Sequence, residues 1–369
     1  MRIAFRADAS VRIGTGHVMR CLTLADALRA QGHECLFICR DHPGCLSELI
    51  TQRGYELHLL THKIPTDLEN ESDNLLTHAE WLGVPWQQDA EQTNRVLSGQ
   101  KVDWLVADHY ALDSRWERQI ASKVKRILVI DDLADREHQA DILLDQNALG
   151  NQIKERYQDL INRDCRLLLG PQYALLSQEY RILASALPQR DGCVSRVLIF
   201  VGGSDPHHLT ERYLEALACP SYKRLSIDVV IGNNHPSPDI VQKMVDRQEG
   251  ARLYSGLPSL SALMVRADLM LGAGGATNWE RMCLGLPAIV VSVARNQEKI
   301  NQELGRLSLV HFMGPAEKVT VDDISRSLAS MLKNTHCTSA QSKAMRAIVD
   351  GNGAWRLVKA MEQSLHAAA

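Results

Sequence analysis

The chain has 369 residues, of which 45% are hydrophobic, 23% charged and 5% aromatic, a composition that supplies enough apolar surface for two globular domains. The formal net charge of -3 provides no basic surface for nucleic acid or membrane, so small molecules are the expected partners. No apolar run reaches the roughly 18 residues that span a bilayer, and charged residues interrupt the N-terminus where a signal peptide is apolar, so we expect a cytoplasmic protein. We also expect a monomer.

The first half of the chain alternates between predicted strands and helices. A strand over residues 2–8 precedes a helix over 18–30, in which apolar residues recur with a period near 3.6. Further strands are predicted over 35–39, 55–60, 102–107, 127–130, 142–144 and 167–170, and further helices over 46–53, 89–97 and 178–186. The alternation is typical of a parallel α/β layer, and we expect the polar segment over 61–99 to shape one rim of a cleft.

A polar stretch over 187–192, broken by Pro188 and Gly192, predicts a linker between domains. Strands are then predicted over 197–201, 225–231, 269–271 and 288–293, with a helix over 278–284 and helical residues at the C-terminus. The C-terminal residues either close the second domain or pack back on the first. The sequence thus predicts an N-terminal Rossmann-like domain over 1–187 and a C-terminal one over 188–369, facing across a cleft.

Polar clusters follow several predicted strands, and in open α/β sheets ligands bind outside the carboxyl ends of the strands. Asp108 and Tyr110 follow one strand, Gly203 and Ser204 another, and the pair Asn296–Gln297 a third. An amide pair can bind sugar hydroxyls, and a Gly-Ser turn can offer backbone donors to an anion. For each cluster the alternative is turn or helix-capping chemistry that needs no ligand.

The glycine-rich stretch over 272–280 gives the strongest indication of phosphate binding. It lies between a predicted strand and a predicted helix, where backbone N–H groups can approach a diphosphate. No Gly-Lys-Ser/Thr follows, so it is not a Walker loop. Because Thr277 and Glu280 have the spacing of a capping box, a purely structural role is the open alternative.

The other glycine-rich turn contains Gly14 and Gly16 and leads into His17 at the start of a helix. A helix N-terminus disfavours the imidazolium form, so His17 is a candidate general base near neutral pH. Asp8, at the end of the opening strand, is expected either to orient the His17 ring or to cap the loop. A surface or capping histidine is the alternative.

Several motifs together resemble a known family. They are the stretch from Phe5 to Ala25, Trp81–Val84 with Asp89–Thr93, Asp108–Tyr110, Gly202–Asp205, and Gly272–Glu280 with Asn296–Gln297. In this order and spacing they resemble the UDP-sugar hydrolases of the bacterial pseudaminic acid pathway, over about residues 1–300. The resemblance implies a glycosyltransferase B-type fold and hydrolysis of UDP-2,4-diacetamido-2,4,6-trideoxy-β-L-altropyranose to the free sugar and UDP.

The resemblance also implies roles for individual residues. His17 would activate the water that attacks the anomeric carbon with inversion, and Tyr110 and Asn296 would lie beside the sugar and His17. The turn formed by Gly274, Gly275, Ala276 and Thr277 would hold the diphosphate, and Glu280 the ribose hydroxyls. No metal and no cofactor are implied, and the nine scattered cysteines, without a C-x-x-C pair, indicate no structural zinc site.

Three other functions remain open from the sequence. A glycosyltransferase of the same fold would release UDP only with an acceptor, and a UDP-sugar 2-epimerase would isomerise the sugar nucleotide. A non-catalytic module would bind the nucleotide sugar without releasing UDP.

Overall fold

The structure, a computed structural model, describes residues 1–62, 76–147, 150, 153 and 155–366. The predicted rim over 61–99 falls partly on residues 63–75, which lie outside the described residues. The described chain forms two compact units, Met1–Ser177 with Asn352–Ala369 and Gln178–Gly351. We call them the first and second units.

The first unit is built on a parallel sheet with the strand order β3-β2-β1-β4-β5-β6-β7. Its strands are β1 (Arg2–Ala7), β2 (Glu34–Arg40), β3 (Glu56–Leu60), β4 (Val102–Asp108), β5 (Val124–Ile130), β6 (Ile142–Asp145) and β7 (Arg166–Leu169). Its α-helices are α1 (Gly16–Arg29), α2 (Ser47–Gln52), α3 (Trp86–Leu97), α4 (Ser114–Ile120) and, at the far end of the chain, α13 (Gly353–His366).

The second unit repeats the arrangement with the strand order β10-β9-β8-β11-β12-β13. Its strands are β8 (Arg196–Phe200), β9 (Ser226–Ile231), β10 (Ala251–Ser255), β11 (Leu269–Ala273), β12 (Ala288–Ser292) and β13 (His311–Pro315). Its α-helices are α5 (Gln178–Ala186), α6 (Leu209–Leu217), α7 (Pro238–Asp246), α8 (Ser261–Arg266), α9 (Thr277–Cys283), α10 (Arg295–Arg306), α11 (Val321–Lys333) and α12 (Thr335–Ile348).

Helices cover both faces of the first sheet, so its central strands carry apolar side chains on each side. One face packs against α1, α2 and α13, and the other against α3 and α4. In the second unit, α6, α7 and α11 bury one face of the sheet. In both units the strand order reverses beside the first strand. In the first unit this places the β1–α1 loop next to the β4–α4 loop. In the second unit it places the β8–α6 loop next to the β11–α9 loop.

The unit boundaries differ from the sequence-based ones. The chain passes to the second unit after Ser177 rather than after residue 187, because α5 packs against α8 and α9. The last helix, α13, belongs to the first unit, where Leu357, Val358 and Met361 are buried in the core beneath α1. The sequence left open whether the C-terminal residues close the second domain or pack back on the first. Residues 352–366 pack back on the first unit.

Candidate functional site

His17 and Asp108 form a hydrogen-bonded pair in the first unit. His17 lies in the first turn of α1 with its side chain 7% exposed, and Asp108 is the buried last residue of β4. The Nδ1 atom of His17 lies 2.6 Å from Oδ1 of Asp108. Because an ionised carboxylate only accepts hydrogen bonds, Nδ1 carries a proton, and in the neutral ring Nε2 then keeps a lone pair. His17 therefore presents a basic Nε2 with its ring held by Asp108.

Arg20, one turn after His17 on α1, holds Asp108 from the other side. Its Nε and one terminal nitrogen each lie 2.6 Å from a different oxygen of Asp108, a bidentate pair, and its other terminal nitrogen donates to Asp132 at 3.0 Å. Burial alone would raise the pKa of Asp108, but the charge of Arg20 and the hydrogen bonds from Arg20 and His17 outweigh it and hold this pKa well below its usual range. Asp108 therefore stays ionised beside the imidazole.

Tyr110 forms a wall of the same site. Its ring meets the His17 ring edge-on with the centroids 4.6 Å apart, and its hydroxyl donates to Asp132 at 2.5 Å. Burial, with the nearby Asp132 carboxylate, raises the pKa of Tyr110, so the phenol keeps its proton. Tyr110 therefore lies beside His17. Asp132 was not among the predicted site residues, although its position two residues after a buried strand could have indicated it.

Asp8 does not contact the His17 ring. It is fully buried and pairs with both terminal nitrogens of Arg6, at 2.6 and 2.8 Å, while also accepting the backbone N–H of Arg40. Arg6 and Arg40 in turn pair with Asp89 on α3. The residue that orients the His17 ring is Asp108, so Asp8 does not have this predicted role. Asp8 ties the carboxyl ends of β1 and β2 to α3.

The loop between β1 and α1 closes on itself. Gly14 has a φ of 81° and donates to the carbonyl of Ser10 at 2.8 Å, a left-handed turn that favours glycine. The Ser10 hydroxyl accepts the backbone N–H groups of Arg12 and Ile13. Gly16 begins α1, and a Cβ atom there would meet nothing within 4 Å. The loop thus positions His17 through its turn.

In the second unit the glycine-rich loop joins β11 to α9. Gly275 has a φ of 136°, and a Cβ on Gly274 would lie 1.9 Å from Nδ2 of Asn301. The helix begins at Thr277, and its N-cap, Ala276, provides no side-chain hydrogen bond. The capping box that Thr277 and Glu280 could have formed is therefore not present.

Glu280 faces α5 rather than the start of its own helix. Burial is the main cause that raises its pKa, to about 7, with a further rise from the neighbouring Glu179 and an opposing hydrogen bond with Tyr180. The carboxyl group is thus poised to exchange a proton near neutral pH.

The remaining predicted residues lie on neighbouring loops of the second unit. Asn296 is exposed in the first turn of α10, and the side-chain oxygen of Gln297 accepts the N–H of Val293 at 3.1 Å. Gly203 and the exposed Ser204 follow β8, where the Gly203 carbonyl approaches Gly232 so closely that a Cβ on Gly232 would lie 2.1 Å from it. Asp205 caps α6 by accepting two backbone N–H groups.

Among the described residues one side-chain triad has the spacing of a metal site: Asp205, Glu211 and His235. The Nδ1 atom of His235, however, accepts the backbone N–H of Ser237 at 3.1 Å. A neutral imidazole that accepts through Nδ1 carries its proton on Nε2, the atom that faces the two carboxylates. In this arrangement Nε2 has no lone pair for a metal, so the triad does not fit a cation.

Comparison with known proteins finds distant relatives of the chain. No protein-family model matches the chain. It is 22% identical to the spore coat polysaccharide biosynthesis protein SpsG of Bacillus subtilis (strain 168), over 99% of both chains. It is 25% identical to the UDP-2,4-diacetamido-2,4,6-trideoxy-beta-L-altropyranose hydrolase of Campylobacter jejuni, over 81% of this chain and 94% of the hydrolase.

Solved structures share the fold. MurG of Acinetobacter baumannii superposes with a TM-score of 0.67 at 13% identity, covering 98% of this chain and 99% of MurG. CalG4, the calicheamicin glycosyltransferase, gives 0.65 at 14% identity, covering 99% of this chain and 98% of CalG4. The predicted fold class, two Rossmann-like domains of the glycosyltransferase B type, is confirmed. None of the helices in the described part of the chain has the length and apolar character that crossing a membrane requires.

Proposed function

We propose that this chain hydrolyses a UDP-sugar, releasing UDP and the free sugar. The observation that carries the proposal is the His17–Asp108 pair, since it leaves the Nε2 atom of His17 as a proton acceptor. In the proposed reaction Nε2 takes a proton from water, the water oxygen bonds to the anomeric carbon, and the bond to the diphosphate oxygen breaks with inversion. UDP leaves as an anion, so no carboxylic acid is needed to protonate it.

The two units have separate roles in this proposal. The first unit supplies the base, with Tyr110 beside the sugar. The second unit supplies the nucleotide-binding residues: the turn Gly274, Gly275, Ala276 and Thr277 for the diphosphate, Glu280 for the ribose hydroxyls, and Asn296 for the sugar. One observation supports the nucleotide-binding role: the capping box at Thr277 is absent, so Thr277 and Glu280 are not committed to it.

The proposed substrate is UDP-2,4-diacetamido-2,4,6-trideoxy-β-L-altropyranose. It is supported by the sequence motifs and by the name of the C. jejuni relative. The test is incubation of the protein, with a chelator present, with this compound and with stereoisomers of it, followed by NMR of the sugar formed in ¹⁸O-labelled water. We expect UDP release with one ¹⁸O atom at C1 and an inverted anomer, and the chelator should have no effect. Sugar without label would contradict direct attack of water.

A glycosyltransferase is the second candidate, favoured by the structural likeness to CalG4. The two functions differ in what accepts the sugar. UDP release that requires an added alcohol or amine acceptor, with none in water alone, would favour the transferase.

A further inference from the structure

Arg281, on α9, is a buried cation without a counterion. Its side chain is 1% exposed, and one terminal nitrogen donates to Oδ1 of Asn278 at 3.0 Å while the other faces the sulfur of Met345 at 3.3 Å. No carboxylate of the described residues lies within ion-pair distance of it. Burial lowers the pKa of Arg281 to about 9, so the guanidinium is still charged at neutral pH. Burying an unpaired charge is costly, and few proteins retain one without a partner.

Arg190 shows how the same unit accommodates another arginine. Its guanidinium donates to the backbone carbonyls of Leu284, Ala267 and Met264. These oxygens are strong acceptors, whereas a thioether is a weak one. Arg281 therefore keeps more of its positive charge uncompensated than Arg190 does.

The hydrogen bonds of Arg281 lead to the glycine-rich loop. Asn278, which accepts from Arg281, donates through Nδ2 to Oδ1 of Asn301 at 2.9 Å, and Asn301 donates to the Ser292 hydroxyl at 2.9 Å. The Asn301 side chain is the group that Gly274 approaches so closely that a Cβ would collide with it. The unpaired charge is thus linked to the loop that runs from Gly274 to Thr277 through the side chains of Asn278 and Asn301.

We propose that Arg281 is a positioning residue that supplies the fixed positive charge of the diphosphate site, and that the missing counterion is the diphosphate of the bound nucleotide. The inference rests on the proposed function, and in it the charge of Arg281 is an electrostatic source of the protein's affinity for the nucleotide. A preoriented charge in a water-excluded site also stabilises the negative charge that the diphosphate gains as its bond to the sugar breaks. Arg281 acts through Asn278 and the loop without touching the ligand.

The first test compares ligands that differ in phosphate charge. Binding of uridine, UMP, UDP and inorganic pyrophosphate is measured by NMR titration for the wild type, Arg281→Gln and Arg281→Lys. We expect Arg281→Gln to weaken UDP and pyrophosphate binding by about tenfold or more and to leave uridine unchanged, since only charged ligands sense the lost cation. Arg281→Lys, which keeps the charge, should retain most of the ratio of UDP to uridine affinity.

Arg190→Gln is the matched control. It removes a half-buried arginine of the same unit, so it should lower the melting temperature and leave the ratio of UDP to uridine affinity unchanged. A purely structural role for Arg281 would make Arg281→Gln behave in the same way, and that result would overturn the inference.

A second variant decides the question if Arg281→Gln fails to fold. Asn278→Asp places a carboxylate against Arg281 with almost no change in volume, and rotation of the Asn301 amide can restore the hydrogen bonds to its two neighbours. We expect the unliganded variant to melt at a higher temperature than the wild type and to bind UDP about tenfold or more weakly, with uridine binding retained. Unchanged UDP affinity in Asn278→Asp would overturn the inference.

The outcomes separate this inference from the function on which it rests. If the wild type binds neither UDP nor pyrophosphate, both fail. If the wild type hydrolyses the UDP-sugar while the Arg281 and Asn278 variants keep the wild-type ratio of UDP to uridine affinity, only the role of Arg281 fails.

Discussion

At the scale of single residues, the first unit arranges charge around one imidazole nitrogen. Asp108 holds the Nδ1–H of His17, and Arg20 lies between Asp108 and Asp132. A base that takes a proton becomes a cation, and the ionised Asp108 is placed to stabilise that cation. Arg20 fixes the carboxylate so that the His17 ring keeps one orientation. The side chains differ in role: His17 accepts the proton, and Asp108 and Arg20 position it.

Removing either member of the pair tests this arrangement. We expect His17→Asn to lower kcat by at least about 10²-fold, the usual contribution of a general base, with UDP binding nearly intact. Asp108→Asn should lower kcat by roughly 10²- to 10⁴-fold, because an amide can donate to Nδ1 and so favour the wrong tautomer. Steady-state kinetics and UDP titrations measure both effects.

Asp103→Asn is the control for Asp108→Asn. Asp103 lies on the same strand, where its carboxylate binds Lys125 and the backbone N–H of Arg2 away from the His17 site. It should leave kcat within about twofold of wild type, as surface substitutions usually do. Full activity of His17→Asn would remove this residue from the mechanism.

Glu280 gives a pH-dependent contribution to stability. Its pKa is about 7 in the folded protein against 4.5 as the ordinary value. Between these values the folded state binds a proton that the unfolded state does not, so the contribution is largest below pH 4.5 and decreases as the pH rises through 7. We expect the melting temperature of Glu280→Gln, relative to wild type, to increase from pH 5 to pH 8.

The difference between the two proteins is the required measurement, because burial also raises the pKa of Asp145 to about 7. Glu303→Gln is the control. Glu303 is paired with Arg306 on the surface, and this pairing lowers its pKa. The difference in melting temperature between Glu303→Gln and wild type should therefore not change over the same pH range. A flat difference for Glu280→Gln would show that this carboxyl group does not titrate there.

At the scale of elements, the β11–α9 loop is built by close packing. Gly274 fits only because it has no Cβ, and the Asn301 amide that it approaches is held by Asn278 and Ser292. The side chain of Asn301 therefore cannot rotate away from Gly274 without losing these hydrogen bonds. The loop is thus a rigid part of the second unit, with its path fixed from behind.

A methyl group tests the packing. We expect Gly274→Ala to lower the free energy of unfolding by about 1–3 kcal/mol, the usual cost of overpacking, and to weaken UDP binding because the loop is displaced. Urea denaturation and UDP titration check the two effects. Gly16→Ala is the comparison for stability, since a Cβ at Gly16 meets nothing within 4 Å. Equal stability of the two variants would contradict the rigid-loop interpretation.

At the scale of the whole molecule, the chain ends in the unit where it began. Helix α13 packs against α1, and Leu357 and Met361 lie fully buried in that core. His33 near the start of β2 pairs with Glu362 at 3.1 Å, and Arg126 of β5 donates to the Ser364 carbonyl. The first unit is therefore completed by a helix that follows the second unit in the sequence.

The stability of the first unit should depend on this helix. We expect Leu357→Ala to cost about 2–5 kcal/mol, as large-to-small changes in cores do, and to increase hydrogen exchange mainly in peptides of residues 1–177. Leu328→Ala makes a cavity in the core of the second unit and should increase exchange mainly within 178–351. Exchange that increases equally in both units after Leu357→Ala would contradict the assignment of α13.

The sequence by itself determined the repeated strand–helix alternation, the two glycine-rich loops and the helix that begins beside His17. These depend on the period of apolar residues and on glycine conformation, which act over a few residues. The predicted helix over 18–30 is observed over Gly16–Arg29, and the predicted strand over 288–293 over Ala288–Ser292.

Only the tertiary structure decided which side chains meet. His17 and Asp108 are 91 positions apart, and Arg20 and Asp132 are 112 apart. The strand order brings them together, while local patterns do not determine that order. Three further features have the same cause: His17 pairs with Asp108 rather than Asp8, α13 packs in the first unit, and Arg281 is buried without a counterion. Each depends on residues that are distant in the sequence and close in the fold, since burial and charge pairing are properties of the packed chain.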